Sequence, residues 1–324
     1  MPKELIHFTV AERTAARLIG TRFGPCLASS QAGLLLGAVF HDALFYAVSP
    51  GAKPLESLAH VMHGADGQDT FALIRAQAGH AAQAENRKLP AALLAGMVSH
   101  LFADAAMHPM VYHFSGDYYA NGENARSLAR QRHRAMESLM DMAACPEKIG
   151  TPDYRLSALL RRCPDLFREG LPMQTLTEWA SLPVQETQKQ LSRAWRVFAL
   201  LQRFYPMSLP ARLLFALRHR LPRVLAETGM LFYAPQLKRQ LPRLEASISY
   251  LHPVTGERLH ASLDTLMDQA AAKAAALCHA MEPAVFEGAP LSLPEAGPSM
   301  DAGLSNTSTE AMLYFAEPPF PDLE

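Results

Sequence analysis

Within the apolar stretch LLAGMVSHLFADAAMHPM, from Leu93 to Met110, His100, Asp104 and His108 recur at steps of four, so a helix lines all three along one side. A second stretch, RHRAMESLMD, repeats the device with His133 and Glu137. An imidazole and a carboxylate one helical turn apart can converge on one divalent metal, and two such pairs point to a metal cluster. A single pair has a blander reading, a core histidine hydrogen-bonded to a neighbouring aspartate, because polar groups in a buried stripe must be satisfied. Two pairs weigh against structure alone. Each is set among inward-facing residues: Leu93, Met97 and Leu101 around the first, and Ala129, Met136 and Met140 around the second.

The elements that must position these residues read as helices. Pro90 suits the N1 position of the helix carrying His100, and Pro109 is expected to block its continuation. Upstream, Thr9 and Glu12 have capping-box spacing, which puts His7 in the lead-in to a helix running to about Phe23. Ser29 or Ser30 caps QAGLLLGAVF, a buried helix in which Gly33 and Gly37 suit close packing, and His41 and Asp42 follow where it meets a surface or cleft. On that helix the His41 ring is expected to point away from Asp42. His63 precedes a turn at Gly64, and Asp66 or Asp69 caps the next helix, with His60 as the competing histidine. Between the two metal-type helices, residues 111–124, VYHFSGDYYANGEN, read as a Tyr-rich loop, either a lid or an aromatic connector. Further on, short Arg-rich helices are punctuated by proline, and no strand alternation is convincing. The sequence ASLDTLMDQAAAKAAALCHAM is an amphipathic helix, and the Pro, Gly, Ser and Thr of residues 284–324 read as a flexible acidic tail.

A chain of 324 residues, 49% hydrophobic and 19% charged, can bury a large core in one or two domains. Its mean hydropathy of −0.02 argues against an integral membrane protein, and no stretch reads as a transmembrane helix. The charged amino terminus lacks an apolar signal core, so a cytoplasmic protein is expected. Cys26, Cys145, Cys163 and Cys278 lack C-x-x-C spacing, so any metal takes nitrogen and oxygen ligands. Charge is uneven along the chain: residues 1–150 are neutral, 151–250 carry net +8 and 251–324 carry net −9. The basic middle reads first as a solvated face balanced by the acidic end, with peripheral membrane contact through residues 151–250 as the alternative.

Taken in order, the phrases HFTVAERTAARL, GAVFHDALFY, HGADGQDTFAL, SHLFADAAMH and HRAMESLMD resemble the zinc-dependent phospholipase C family, an all-α fold shared with single-strand-specific nucleases. The later HPVTGE is similar to bacterial members. The resemblance implies an all-α domain over residues 1–283, with ligands within 7–141. It implies two or three zinc ions: one on His63, His100 and Asp104, a second on His108, His133 and Glu137, and a third towards which Asp42 bridges and which His7 binds. Asp42 would accept the proton from the attacking water. Exported members complete the third site with their processed amino-terminal residue, whereas six residues, the first an initiator methionine, precede His7 here. That site is therefore expected to be weak, empty or completed differently. His108 follows Asp104 more closely than in the best-known secreted members, which leaves His113 as a spare.

The implied function is metal-dependent phosphodiester hydrolysis, of phospholipase C type, on a phospholipid or a related small phosphodiester. The alternatives are a single-strand-specific nuclease, or a catalytically weakened relative that binds lipid or protein. Glu137 leans towards phospholipase, since nuclease members commonly have Asp at that position. Nucleic acid also needs aromatics beside a basic groove, and Tyr112, Phe114, Tyr118 and Tyr119 have Asp117 as their nearest charge in sequence, with the Arg-rich region far off.

Overall fold

A computed structural model describes residues 3–49 and 51–323. Its helices are, in order, α1 (Glu4–Arg17), α2 (Phe23–Ser29), α3 (Gln31–Gly37), α4 (Phe40–Ala43), α5 (Lys53–His63), α6 (Phe71–Gln83), α7 (Lys88–Ser115) and α8 (Glu123–Ala144). They continue with α9 (Leu156–Arg162), α10 (Met173–Ala180), α11 (Val184–Phe204), α12 (Ser208–Leu217) and α13 (Arg223–Gly229). A hairpin, β1 (Ile248–Leu251) and β2 (Arg258–Ala261), precedes α14 (Leu263–Glu287). The class is all-α, as expected. The hairpin corrects the expectation of no strands: Ile248 pairs with Ala261 and Leu251 with Arg258, and HPVTGE is its turn, closed by Gly256 N–H donating to His252 O.

Helix α7 is the axis of the core, packed by α1, α2, α3, α6, α8 and α14. It is apolar on every side, the pattern of a helix surrounded by protein. By length and composition it could cross a membrane, contrary to the expectation that no stretch qualifies, but 78% of its apolar window is buried against the rest of the chain. The glycines explain how α3 reaches it. A Cβ on Gly37 would lie 2.3 Å from Leu93 O, and one on Gly96 would lie 2.1 Å from Leu34 O, so the two backbones touch. That contact lets the His100 Nδ1–H donate to Ala38 O at 2.8 Å.

Pro109 does not end α7. Proline leaves the Ala105 carbonyl without its helical donor, and Gly303, from the carboxyl-terminal segment, lies over that carbonyl, where a Cβ would come within 2.5 Å. Burial of Met110, Val111 and Tyr112 offsets the lost bond. The Tyr-rich segment is consequently helical to Ser115, and its loop is confined to residues 116–122.

The capping box is also absent. His7 lies inside α1, which ends at Arg17 rather than near Phe23. A partner from another helix does the capping: the Ile6 N–H donates to the buried Asp141 carboxylate of α8 at 3.0 Å, and Tyr233 donates to its other oxygen at 2.8 Å. Thr9 instead donates to Leu5 O, and Glu12 accepts from Lys148 and Tyr154. Ser30 stands at the N-cap of α3 without a side-chain bond, and the predicted QAGLLLGAVF helix breaks into α3 and α4. Asp69 does cap α6, through Phe71 N.

The segment after α14 departs from the flexible tail expected of its composition. Met300 and Ala302 are fully buried, Phe320 and Leu323 nearly so, and backbone bonds tie Met300 to His63, Thr309 to Ala65, Ala316 to His113 and Phe320 to Phe114. Its few apolar residues are spaced to reach separate hollows of the helical body. On the acidic α14, Asp264, Asp268 and Glu287 pair with Arg13 and Arg17 of α1 and with Arg22 just before α2.

Candidate metal centre

Eight residues apart on one helix, His100 and His108 are rotated by about 80°, so α7 serves two groups of ligand-type side chains. Asp42, His63, His100 and Asp104 present atoms that all lie within 4.8 Å of one another, and His108, His133 and Glu137 form a second such set. Both sets are buried. His63 comes from the last turn of α5, which Gly64 closes in a left-handed conformation, and Asp42 from the single turn α4. His133 and Glu137 lie 3.2 Å apart on the inner face of α8.

Outer hydrogen bonds fix which nitrogen faces inward. The Nδ1–H groups of His63, His100 and His108 donate to the carbonyls of Ala59, Ala38 and Met300 at 2.7, 2.8 and 2.7 Å. The Nε2 atoms are thereby aimed into the groups, the arrangement by which proteins orient histidine ligands. Those three Nε2 atoms, Asp42 Oδ1 and both Asp104 oxygens are buried with no hydrogen-bond partner. Each such atom costs about 1–3 kcal/mol. Six together would consume a sum comparable with the stability of a whole domain, about 5–15 kcal/mol, so cations in the two groups, one meeting the atoms of Asp42, His63, His100 and Asp104 and another meeting His108, are the arrangement these residues fit.

The two aspartates straddle. Asp42 turns Oδ1 to His63 and His100, 3.6 Å from each Nε2, and Oδ2 to His7, 3.8 Å away. Asp104 turns Oδ2 to His100 and His63, at 3.2 and 3.7 Å, and Oδ1 to His7 at 3.4 Å. His7 thus faces the first group across two carboxylates, where the sequence reading had named Asp42 alone as a bridge. Burial by itself disfavours the His100 cation, but the carboxylates of Asp104 and Asp42 outweigh it and raise its pKa to about 9. Burial, with the neighbouring His100 adding to it, holds His7 well below the ordinary histidine value; burial likewise holds His108 well below it, and His133 at about 4 despite the nearby Glu137. Burial raises Asp42, with His100 opposing.

Neither spare histidine joins a group. His60 is exposed beside Phe45, and His113 donates to Tyr314 O at 2.8 Å. Two residues that sequence reasoning passed over do belong here. Met300 receives the His108 bond through its carbonyl while its N–H donates to His63 O, so one residue of the carboxyl-terminal segment ties the two groups together. Asp301, buried, puts Oδ1 3.5 Å from His108 Nδ1 and accepts from Tyr119 at 3.4 Å. A lone aspartate in PSMDAG carries no sequence signal for this.

His41 belongs here as well. Expected only to point away from Asp42, its ring stacks on His100 at 4.5 Å while His7 stacks on the opposite face at 4.1 Å, a contact the sequence did not announce. His41→Ala is expected to let the His100 ring rotate and to weaken zinc affinity about 10-fold or more, the scale of lost outer support. His41→Phe should retain most of the affinity. Chelator competition checks both, and wild-type affinity in the alanine variant would show that the stack does not matter.

Aromatics wall the second group. Tyr112 and Tyr118 stand 4.8 and 5.0 Å from the His133 ring, and Arg130 lies over Tyr118 at 5.0 Å. The loop therefore has a cation beside its aromatics, which the sequence order had concealed.

A helical body closed around two buried histidine and carboxylate groups defines an all-α protein with a candidate metal centre. The sequence model described as zinc dependent phospholipase C matches residues 6–173, just over half of the chain, and the chain belongs to that family. All eight residues from His7 to Glu137 fall in the matched span, whereas Met300 and Asp301 fall outside it. Neither the curated proteins nor the solved structures compared with the chain include a match. Family membership and the two buried groups together support a zinc-dependent, phospholipase C-like hydrolase.

Proposed function

We propose that the protein hydrolyses the glycerol–phosphate bond of a phospholipid or a closely related phosphodiester. The observation that carries the proposal is the set of inward-facing Nε2 and carboxylate atoms left without hydrogen bonds, in a chain of this family. His63, His100 and Asp104 would hold one zinc and His108, His133 and Glu137 another, with Asp42 and His7 flanking a third position. Bound zinc supplies Lewis acidity, lowering the pKa of a coordinated water and offsetting charge on the phosphoryl group. Asp42 would accept the proton of the attacking water and return it to the departing glycerol oxygen as the phosphorus–oxygen bond breaks. Its position supports that role: it is the most exposed member of its group, at 5% against 0–2% for the others. Asp104 would orient His100, and the carbonyls of Ala59, Ala38 and Met300 would keep each imidazole neutral at Nε2. The four cysteines, all free and buried, agree with a reducing cytoplasmic setting.

A second reading has an observation in its favour. Tyr112, Tyr118 and Arg130 beside His133 could stack a base and meet a phosphate, which suits a single-strand nuclease. Glu137 continues to favour the phospholipase. A side-by-side assay of the zinc-loaded protein at low salt decides: release of phosphorylated head group from phospholipid is expected. Cleavage of single-stranded DNA without head-group release would overturn the proposal.

A further inference from the structure

Helix α12 shows solvent the wrong face. Leu209, Leu213 and Leu217, at steps of four, are 67%, 51% and 43% exposed, while Ala211 and Phe215 face the core. Its packing partner α13, which it meets where Leu214 abuts Gly229, adds exposed Val224 and Leu225. The end of α11 and the turn after it add Leu200, Phe204 and Met207. A run of large apolar side chains left in water marks a docking surface.

Charge says what docks. From Thr187 to Ala226 the chain carries eight basic residues and no acidic one. Arg196, Arg203, Arg212 and Arg220 are exposed and, among the described residues, make no ion pair. A second copy is a poor occupant, because a two-fold contact would bring these arginines against their own counterparts. Asp264, Asp268 and Glu287 of the acidic carboxyl end are paired instead with Arg13, Arg17 and Arg22. Arg162, outside this run, lies on α9 with Asp153 4.0 Å away.

We propose that α12 and α13 dock on an anionic lipid bilayer, with the leucines entering the interfacial zone and the arginines meeting headgroup phosphates. The inference rests on the phospholipid reading only for its purpose; binding is measured without turnover, so the two can fail separately.

Flotation of the full chain with phosphatidylglycerol-containing vesicles tests it. Binding is expected at about 0.05 M salt and should largely vanish at about 0.5 M, where the screening length is only a few ångströms. Arg212→Glu/Arg220→Glu should weaken binding about 20-fold or more, at about fivefold per arginine. Leu213→Ser/Leu217→Ser should weaken it about tenfold. Both positions are exposed, so the fold tolerates the change, and Arg161→Glu/Arg162→Glu should bind nearly as wild type. Leu213→Trp should give an emission blue shift, relative to wild type, only when anionic vesicles are added. Equal binding to phosphatidylcholine vesicles, no binding at low salt, or a solution dimer dissolved by Leu213→Ser/Leu217→Ser would each overturn the proposal.

Discussion

Asp42→Asn is expected to lower turnover about 100-fold or more, the loss typical of a positioned general base, while the zinc on His108, His133 and Glu137 stays in place. The substitution keeps the shape and one carbonyl oxygen, so packing around the single turn α4 should survive. What it removes is the charge between His7 on one side and His63 and His100 on the other. Burial raises the Asp42 carboxyl above its ordinary range, which favours a proton acceptor over a permanently bare carboxylate, and a bound cation would pull the value back down. Steady-state kinetics with metal analysis on the same sample checks this. Unchanged turnover at unchanged zinc content would pass the role to Asp104 or Asp301.

Asp104→Ala should cost both metal and stability. Asp104 is fully buried, both its oxygens lack hydrogen bonds, and it faces His7, His63 and His100 together. Its removal leaves three buried imidazoles around a void, and the first zinc should be lost. A ligand present at 1,000 times its Kd stabilises the folded state by about 4 kcal/mol, so the variant and the chelated wild type should both melt well below the zinc-loaded protein. The variant's first group should no longer respond to zinc, and His133→Ala should remove the other ion independently. In the wild type, zinc uptake below about pH 9 should release a proton from His100, whose pKa of about 9 marks it as charged in the absence of metal. X-ray absorption should show nitrogen and oxygen scatterers without sulfur. A metal-free protein that melts no lower and takes up no zinc would end the metal reading.

Local geometry wrote part of this centre into the sequence. A step of four on a helix puts His100 beside Asp104 and His133 beside Glu137 whatever the rest of the chain does, and the structure has both pairs at 3.2 Å. Gly37 announced a close helix contact, and Gly64 the end of α5, because each depends on the residue itself. The all-α class followed from apolar spacing, which averages over many residues and survives errors at individual ends.

Only the tertiary structure decided the rest, and the reason is distance along the chain. Asp141 replaced the local capping box of α1 from 135 residues away, since its buried carboxylate reaches the helix N-terminus while Thr9 lies within the helix. Pro109 remained inside α7 because Gly303 covers the freed carbonyl. His41 turned towards His100 because α4 is one turn rather than the end of a long helix, and no periodicity within that stretch could say so. Above all, the carboxyl-terminal segment joined the centre through Met300 and Asp301. Its composition describes a chain without enough apolar area to fold alone, and the already folded helices supply the missing surface.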